Sequence, residues 1–149
     1  MNYEKLIEFA EKARLNAYAP YSGFKVGAAL LCDDGEVFVG CNVENAAYSA
    51  TNCAERTAIF SAVAAGKRKF VAIAIVGGKG DRASDTCLPC GVCRQVLTEF
   101  CPGDFKIVTG CKSDVRVYTL SQLLPLAFNS DSLSDEQLRI SENEVNHRK

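Results

Sequence analysis

A chain of 149 residues with a formal net charge of −1 and a pI of about 5.9 carries no basic surplus to neutralise a phosphate backbone, which argues against nucleic acid as its partner. That length suits one domain able to bury a core without disulfide staples, so its eight cysteines need another purpose. The longest central apolar run, FVAIAIV, falls far short of the roughly 20 residues of a membrane span, so a soluble protein with no membrane partner is expected.

The N-terminus, MNYEKLIEFAEKARL, is charged and periodic rather than a secretion signal. A cytoplasmic setting with reduced thiols follows, in which clustered cysteines favour a metal. Tyr3, Leu6, Ile7, Ala10 and Ala13 recur at helical spacing and predict a first amphipathic helix, stopped by Pro20. FKVGAALLCDDGEVFVGCNVE contains two strand-like runs around Asp34 and Gly35, a hairpin. AERTAIFSAVAAG, opened by Cys53 and ended by Gly66, reads as a second helix offering Ala58, Ile59, Ala62 and Val63 for burial.

A buried strand, FVAIAIVG, comes next. Beyond the Gly- and Asp-rich loop GKGDRASDTCLP, Cys90 opens a third helix, GVCRQVLTEF, carrying Val92, Val96, Leu97 and Phe100. FKIVTG and VRVYTL are too close in sequence for a parallel crossover, so as paired strands they must run antiparallel. TLSQLLPLAF gives a short last helix with a serine or threonine cap. The chain then divides into a domain over 1–128 and a polar tail, 129–149, expected to be peripheral or partly disordered. This order of elements predicts an α/β fold, a three-layer α/β/α arrangement around a mixed five-stranded sheet with its last two strands antiparallel.

Chemistry-bearing residues concentrate at two helix starts, TNCAER and CLPCGVC. Cys90 and Cys93 are three apart in a first helical turn, so their sulfurs can face one ion. Pro89 fits just ahead of that turn, whereas Cys87 precedes the proline in a segment biased to be extended. With Cys53 they make three thiolates from two helix N-termini, where dipole ends and free N–H groups favour the thiolate form. Three protein ligands and an open fourth position are the geometry of a catalytic zinc site.

Three thiolates leave a negative cluster that opposes ionisation of a water at the metal, and Arg56 could drain that charge. Glu55, two residues after Cys53, cannot easily join the same ion but can face its open side, where a carboxylate can move a proton from water to a leaving group. The single histidine, His147, lies in the tail and reads as a surface residue. Two other readings stand beside this one. Cys53, Cys87, Cys90 and Cys93 could close a structural zinc site. An iron–sulfur cluster would need three residues between its third and fourth cysteines, and seven separate Cys93 from Cys101. Cys32, Cys41, Cys101 and Cys111 read as small buried hydrophobes.

NCAERTA and PCGVC resemble the C-A-E and P-C-x-x-C motifs of zinc-dependent cytidine deaminases, and APYSGFKVGAALL and CNVENAAYS resemble flanking motifs of that family's free-nucleoside branch. The resemblance runs from Tyr18 to Phe128. It implies one zinc ion held by Cys53, Cys90 and Cys93, with Glu55 as general acid and base in the hydrolytic deamination of cytidine and 2′-deoxycytidine, a reaction of pyrimidine salvage. It implies further that the Ala54 N–H holds the ring carbonyl, that Phe24 packs on the ring, and that Asn42 and Glu44 bind the ribose hydroxyls. Small members with all-cysteine ligands are homotetramers with sites completed by neighbours, which would bring Tyr48 and Phe128 to another subunit's substrate. Leu126 departs from the pattern, which has glycine or a small residue there. A deaminase of nucleoside-like antibiotics is a related alternative, although CNVENAAY is closer to the cytidine branch.

Overall fold

The computed structural model describes residues 2–80, 83, 86–111 and 114–133. Helix α1, Tyr3–Arg14, starts at Asn2, whose side-chain oxygen accepts the Lys5 N–H at 2.9 Å. It ends well before Pro20. The cause is pairing rather than proline: Tyr18 donates its N–H to the Asn42 carbonyl at 3.0 Å and accepts from Glu44 at 2.8 Å, so the chain must leave the helix early to reach that edge.

Strands β1, Phe24–Cys32, and β2, Val37–Cys41, form the expected hairpin, turning through Gly35 at φ 89°. Helix α2, Ala54–Ala64, is closed by Gly66 in the left-handed region, a conformation that glycine adopts without steric cost. Strand β3, Phe70–Lys79, lies antiparallel to β1, and helix α3, Gly91–Phe100, carries the chain across to β4, Lys106–Cys111, which is parallel to β3. Strand β5, Asp114–Thr119, is antiparallel to β4, and the sheet order is β2-β1-β3-β4-β5. Helix α4, Leu120–Leu123, begins with a capping box between Thr119 and Gln122.

Strand alternation divides the core in two. Ala28, Leu30, Ile73, Ile75 and Ile107 pack under α2 and α3, while Ala29, Leu31, Ala74, Val76 and Val108 pack under α1. Three layers result, as the sequence implies. Two glycines bring the helices unusually close. A Cβ at Gly27 would come within 2.0 Å of the Ala10 carbonyl oxygen on α1, and one at Gly40 within 2.4 Å of the Ala54 carbonyl on α2.

Helix α3 turns Cys93 and Leu97 inward, with Val96 and Phe100 partly buried against the same core. Val92, which the helix also carries, is 57% exposed, because the inward register belongs to Cys93. Of the tail, Ser130–Leu133 forms a 3-10 turn. Its expected disorder beyond residue 133 and the expected surface position of His147 lie outside the described residues.

Candidate active site

Cys53 and Cys90 occupy the N-cap positions of α2 and α3, yet neither side chain caps its own helix. Their sulfurs are instead turned toward each other, 3.8 Å apart, and with the Cys93 sulfur they form a group whose members all lie within 4.8 Å. Metal–sulfur bonds of about 2.3 Å in a tetrahedron put neighbouring sulfurs about 3.8 Å apart. The trio therefore fits zinc in size and in donor chemistry. Cys87 lines the same cavity outside the trio, and Cys101 is buried in the core, so neither the four-thiolate reading nor the iron–sulfur reading finds its ligands assembled.

Arg56 sits one turn into α2 and donates from Nη2 to the Thr51 carbonyl at 3.0 Å and to Cys53 Sγ at 3.6 Å. Its Nε is buried and has no hydrogen-bond partner among the described residues. The Cys53 thiol is held down at about 5, first by its hydrogen bond with Cys93 and then by Arg56, against the opposing effect of burial. The hydrogen bond to Cys53 and burial push Cys93 the other way. Helix start and guanidinium thus prepare one thiolate before any cation arrives. Glu55, in the first turn of α2, is only 5% exposed, and burial pushes its carboxyl up to about 7.

Glu55 faces a cavity of about 230 Å³ together with Cys53, Cys90, Ala54, Phe24 and Asn42. Asn42 is nearly buried, its amide donating to the Phe24 carbonyl at 2.9 Å and its oxygen accepting the Val26 N–H at 2.8 Å. The side chain is thereby locked to the edge of β1, with one amide hydrogen left for a ligand. Thr51 lines this cavity and also a second, outer pocket of about 430 Å³, shared with Tyr21, Ser22, Glu44 and Tyr48. Glu44 accepts the Tyr21 and Ser22 N–H groups at 2.9 and 3.2 Å and the Ser22 hydroxyl, which holds its carboxyl below the usual range. Tyr48 is 75% exposed and meets Tyr21 edge-on.

Phe128 is absent from both pockets. It is 59% exposed, and its carbonyl accepts the Gln95 amide of α3 at 2.8 Å. Within one chain, then, Phe24, Asn42, Cys53, Ala54, Glu55 and Cys90 line the inner cavity, Glu44 and Tyr48 line the outer pocket, Cys93 and Arg56 join through the sulfurs, and Phe128 alone of the residues singled out from the sequence stands apart.

The profile of the family described as "Cytidine and deoxycytidylate deaminase zinc-binding region" matches residues 1–110. The chain belongs to this family. A "Cytidine deaminase" of Sporosarcina psychrophila is 52% identical over 135 residues, 90% of this chain and 96% of that one. A "Cytidine deaminase" of Halalkalibacterium halodurans is 48% identical over 91% of this chain and all of its own. A crystal structure of the cytidine deaminase from Burkholderia pseudomallei superposes with a TM-score of 0.79 at 53% identity, covering 86% of this chain and 100% of that one.

In this deaminase-family chain the residues singled out from the sequence include most of the inner cavity's lining and, of the outer pocket's, only Glu44 and Tyr48. Thr51, Tyr21 and Ser22 lack any chemical oddity; Tyr21 and Ser22 could have been flagged only by their place inside the flanking motif APYSGF, and Thr51 only by standing two residues ahead of Cys53. Cys87, set aside for its extended segment, lines the cavity as a thiol that burial pushes up to about 11.

Proposed function

We propose that the chain is a zinc-dependent cytidine deaminase acting on free nucleosides, converting cytidine and 2′-deoxycytidine with water to uridine or 2′-deoxyuridine and ammonia. The observation that carries this reading is a group of three thiols at metal-binding separation, two of which, Cys53 and Cys90, line one ring-sized cavity together with the buried Glu55 carboxyl. Cys53, Cys90 and Cys93 hold the metal. Zinc, when bound, supplies the Lewis acidity that makes water a nucleophile at neutral pH.

The chain's own residues handle the protons and the orientation. Glu55 takes a proton from the attacking water and gives it to N3, then passes the second to the departing amino group, so the C4–N bond breaks as C4–O is kept. A carboxyl lifted toward neutrality by burial can both accept and release a proton at little cost. The Ala54 N–H, one of those that a helix start leaves without an intrahelical partner, holds the ring carbonyl. Phe24 covers the ring, and Asn42 and Glu44 bind the sugar hydroxyls. Arg56 withdraws charge from the thiolates.

The outer pocket supports nucleosides over nucleotides. It contains the Glu44 carboxylate, and among the described residues no lysine or arginine lines it, so a 5′-phosphate would meet repulsion without a counterion there. The pI of 5.9 weighs against polynucleotides for the same reason. Among the described residues no helix is long and apolar enough to cross a membrane. We assign the catalytic domain to 1–128 and infer a cytoplasmic homotetramer serving pyrimidine salvage.

Loss of the cytidine absorbance band in the zinc-loaded wild type, with no loss for 2′-deoxycytidine 5′-phosphate, is the expected result. Glu55→Gln should keep one zinc per chain and lose at least about 100-fold in turnover. Wild type that leaves cytidine untouched while holding its zinc would overturn the proposal.

A further inference from the structure

One wall of the inner cavity has no task in the mechanism above. With the pyrimidine held as proposed, three consecutive ring positions are served: the 2-carbonyl by Ala54 and N3 by Glu55, both on α2, and C4 by the thiolate trio at the starts of α2 and α3. The sugar on N1 leaves past Asn42 and Thr51, because Thr51 is where the inner cavity meets the outer pocket. Phe24 takes a face of the ring. The C5–C6 edge must then meet the remaining lining, and C5, bonded to C4, lies on the side of Cys90. Cys87 and Leu88 are the lining residues on that side, immediately ahead of Pro89 and Cys90.

That wall is held from two directions. Thr109, fully buried on β4, accepts the Cys87 N–H at 3.0 Å and donates its own hydroxyl to the Cys87 carbonyl at 3.0 Å. Gly77 on β3 lies beneath both Cys87 and Phe24, for a Cβ there would stand 2.5 Å from Cys87 Sγ and 2.8 Å from Phe24 Cε1. Thiol and ring therefore rest on the same bare backbone. With its main chain clamped by Thr109 and its underside closed by β3, a larger side chain at position 87 can extend only into the cavity.

We propose that Cys87, backed by Leu88, determines which substituents the enzyme accepts at the pyrimidine 5-position. The inference rests on the nucleoside reading above. A buried thiol behaves as a small hydrophobe with a weak donor, so this wall selects by size rather than by polarity. It would separate cytidines bearing hydrogen, methyl or a large halogen at C5.

The test compares kcat/KM for 5-methyl- and 5-iodo-2′-deoxycytidine with that for 2′-deoxycytidine, so that losses common to all substrates cancel. One methylene-sized change in an apolar pocket is worth roughly 10- to 200-fold in discrimination. Cys87→Ile should lower the methyl ratio by at least about tenfold, and Cys87→Ala should raise the iodo ratio by about tenfold. Binding of thymidine against 2′-deoxyuridine, read by calorimetry without turnover, should move in the same directions. Ratios that stay within about twofold in both variants overturn the inference. So does a shift produced by Val26→Ala and not by Cys87→Ala, which would put the edge against β1. Failure of the wild type to bind or turn over 2′-deoxycytidine sinks the nucleoside reading itself, whereas intact turnover with unmoved ratios sinks this inference alone.

Discussion

Arg56 has two tasks in one side chain. Its Nη2 ties the Thr51 carbonyl to Cys53 Sγ, which fixes the approach to α2 and lowers the charge on a metal ligand at once. Arg56→Gln should keep the zinc, because three sulfurs remain, and should lower kcat by about 10- to 100-fold, the usual cost of losing a partner to a ligand. Zinc content by atomic absorption, measured beside turnover, separates the two effects; a zinc-replete variant with normal kcat would leave Arg56 a purely structural residue. Leu126 has a different kind of anomaly. It holds φ at 54° with its side chain fully exposed, a left-handed backbone that costs a leucine roughly 1 kcal/mol or more. A glycine fits this geometry without steric cost. Leu126→Gly should therefore raise Tm by a few degrees after the extra chain entropy of glycine is subtracted, and a lower Tm would mean that the exposed leucine is covered in the assembled protein.

Elements approach the sheet at two glycines, and the two faces have different consequences. Gly27→Ala drives a methyl into the α1 backbone, while Gly40→Ala drives one into Ala54 and Ala58 of α2. Each should cost about 3 kcal/mol or more in urea unfolding, as overpacking against rigid backbone does. Only Gly40→Ala should also weaken zinc retention against a chelator, since α2 starts at a ligand and α1 carries none; equal zinc loss in both variants would show that the site depends on global stability alone. The elements themselves were legible where local chemistry and periodicity agree: Gly35 turns the hairpin, Gly66 ends α2, and Thr119 caps α4. The end of α1 was not, because the pairing of Tyr18 with Asn42 and Glu44 is a long-range event that no nearby residue signals. Which face of α3 turns inward was not legible for a related reason, since a ten-residue helix with several apolar residues has more than one face to offer, and Cys93 and Leu97, not Val92, took the core. Spacing at two helix starts flagged Cys53, Cys87, Cys90 and Cys93 together, and it took the coordinates to bring Cys53, Cys90 and Cys93 into one group with Cys87 outside it. The double use of Asn42, locking β1 and facing the cavity, required coordinates.

At the scale of the whole molecule, the unanswered residue is Phe128. It lies exposed beside α3, away from both pockets of its own chain, whereas Tyr48 is an exposed aromatic in the outer pocket, with the Tyr21 ring edge-on against it. A homotetramer in which one subunit's Phe128 closes a neighbour's site accounts for both, and sedimentation should give four times the 16.1 kDa chain mass. Subunit mixing tests the shared site directly. Glu55→Gln chains have the aromatic without the acid, and Phe128→Ala chains have the acid without the aromatic. Unfolded together and reassembled, they should form mixed tetramers in which an intact Glu55 meets an intact Phe128 from next door, giving activity well above the average of the two variants alone. If Phe128 served its own chain's site, no mixed pair would hold both groups, and the mixture would only average its parents.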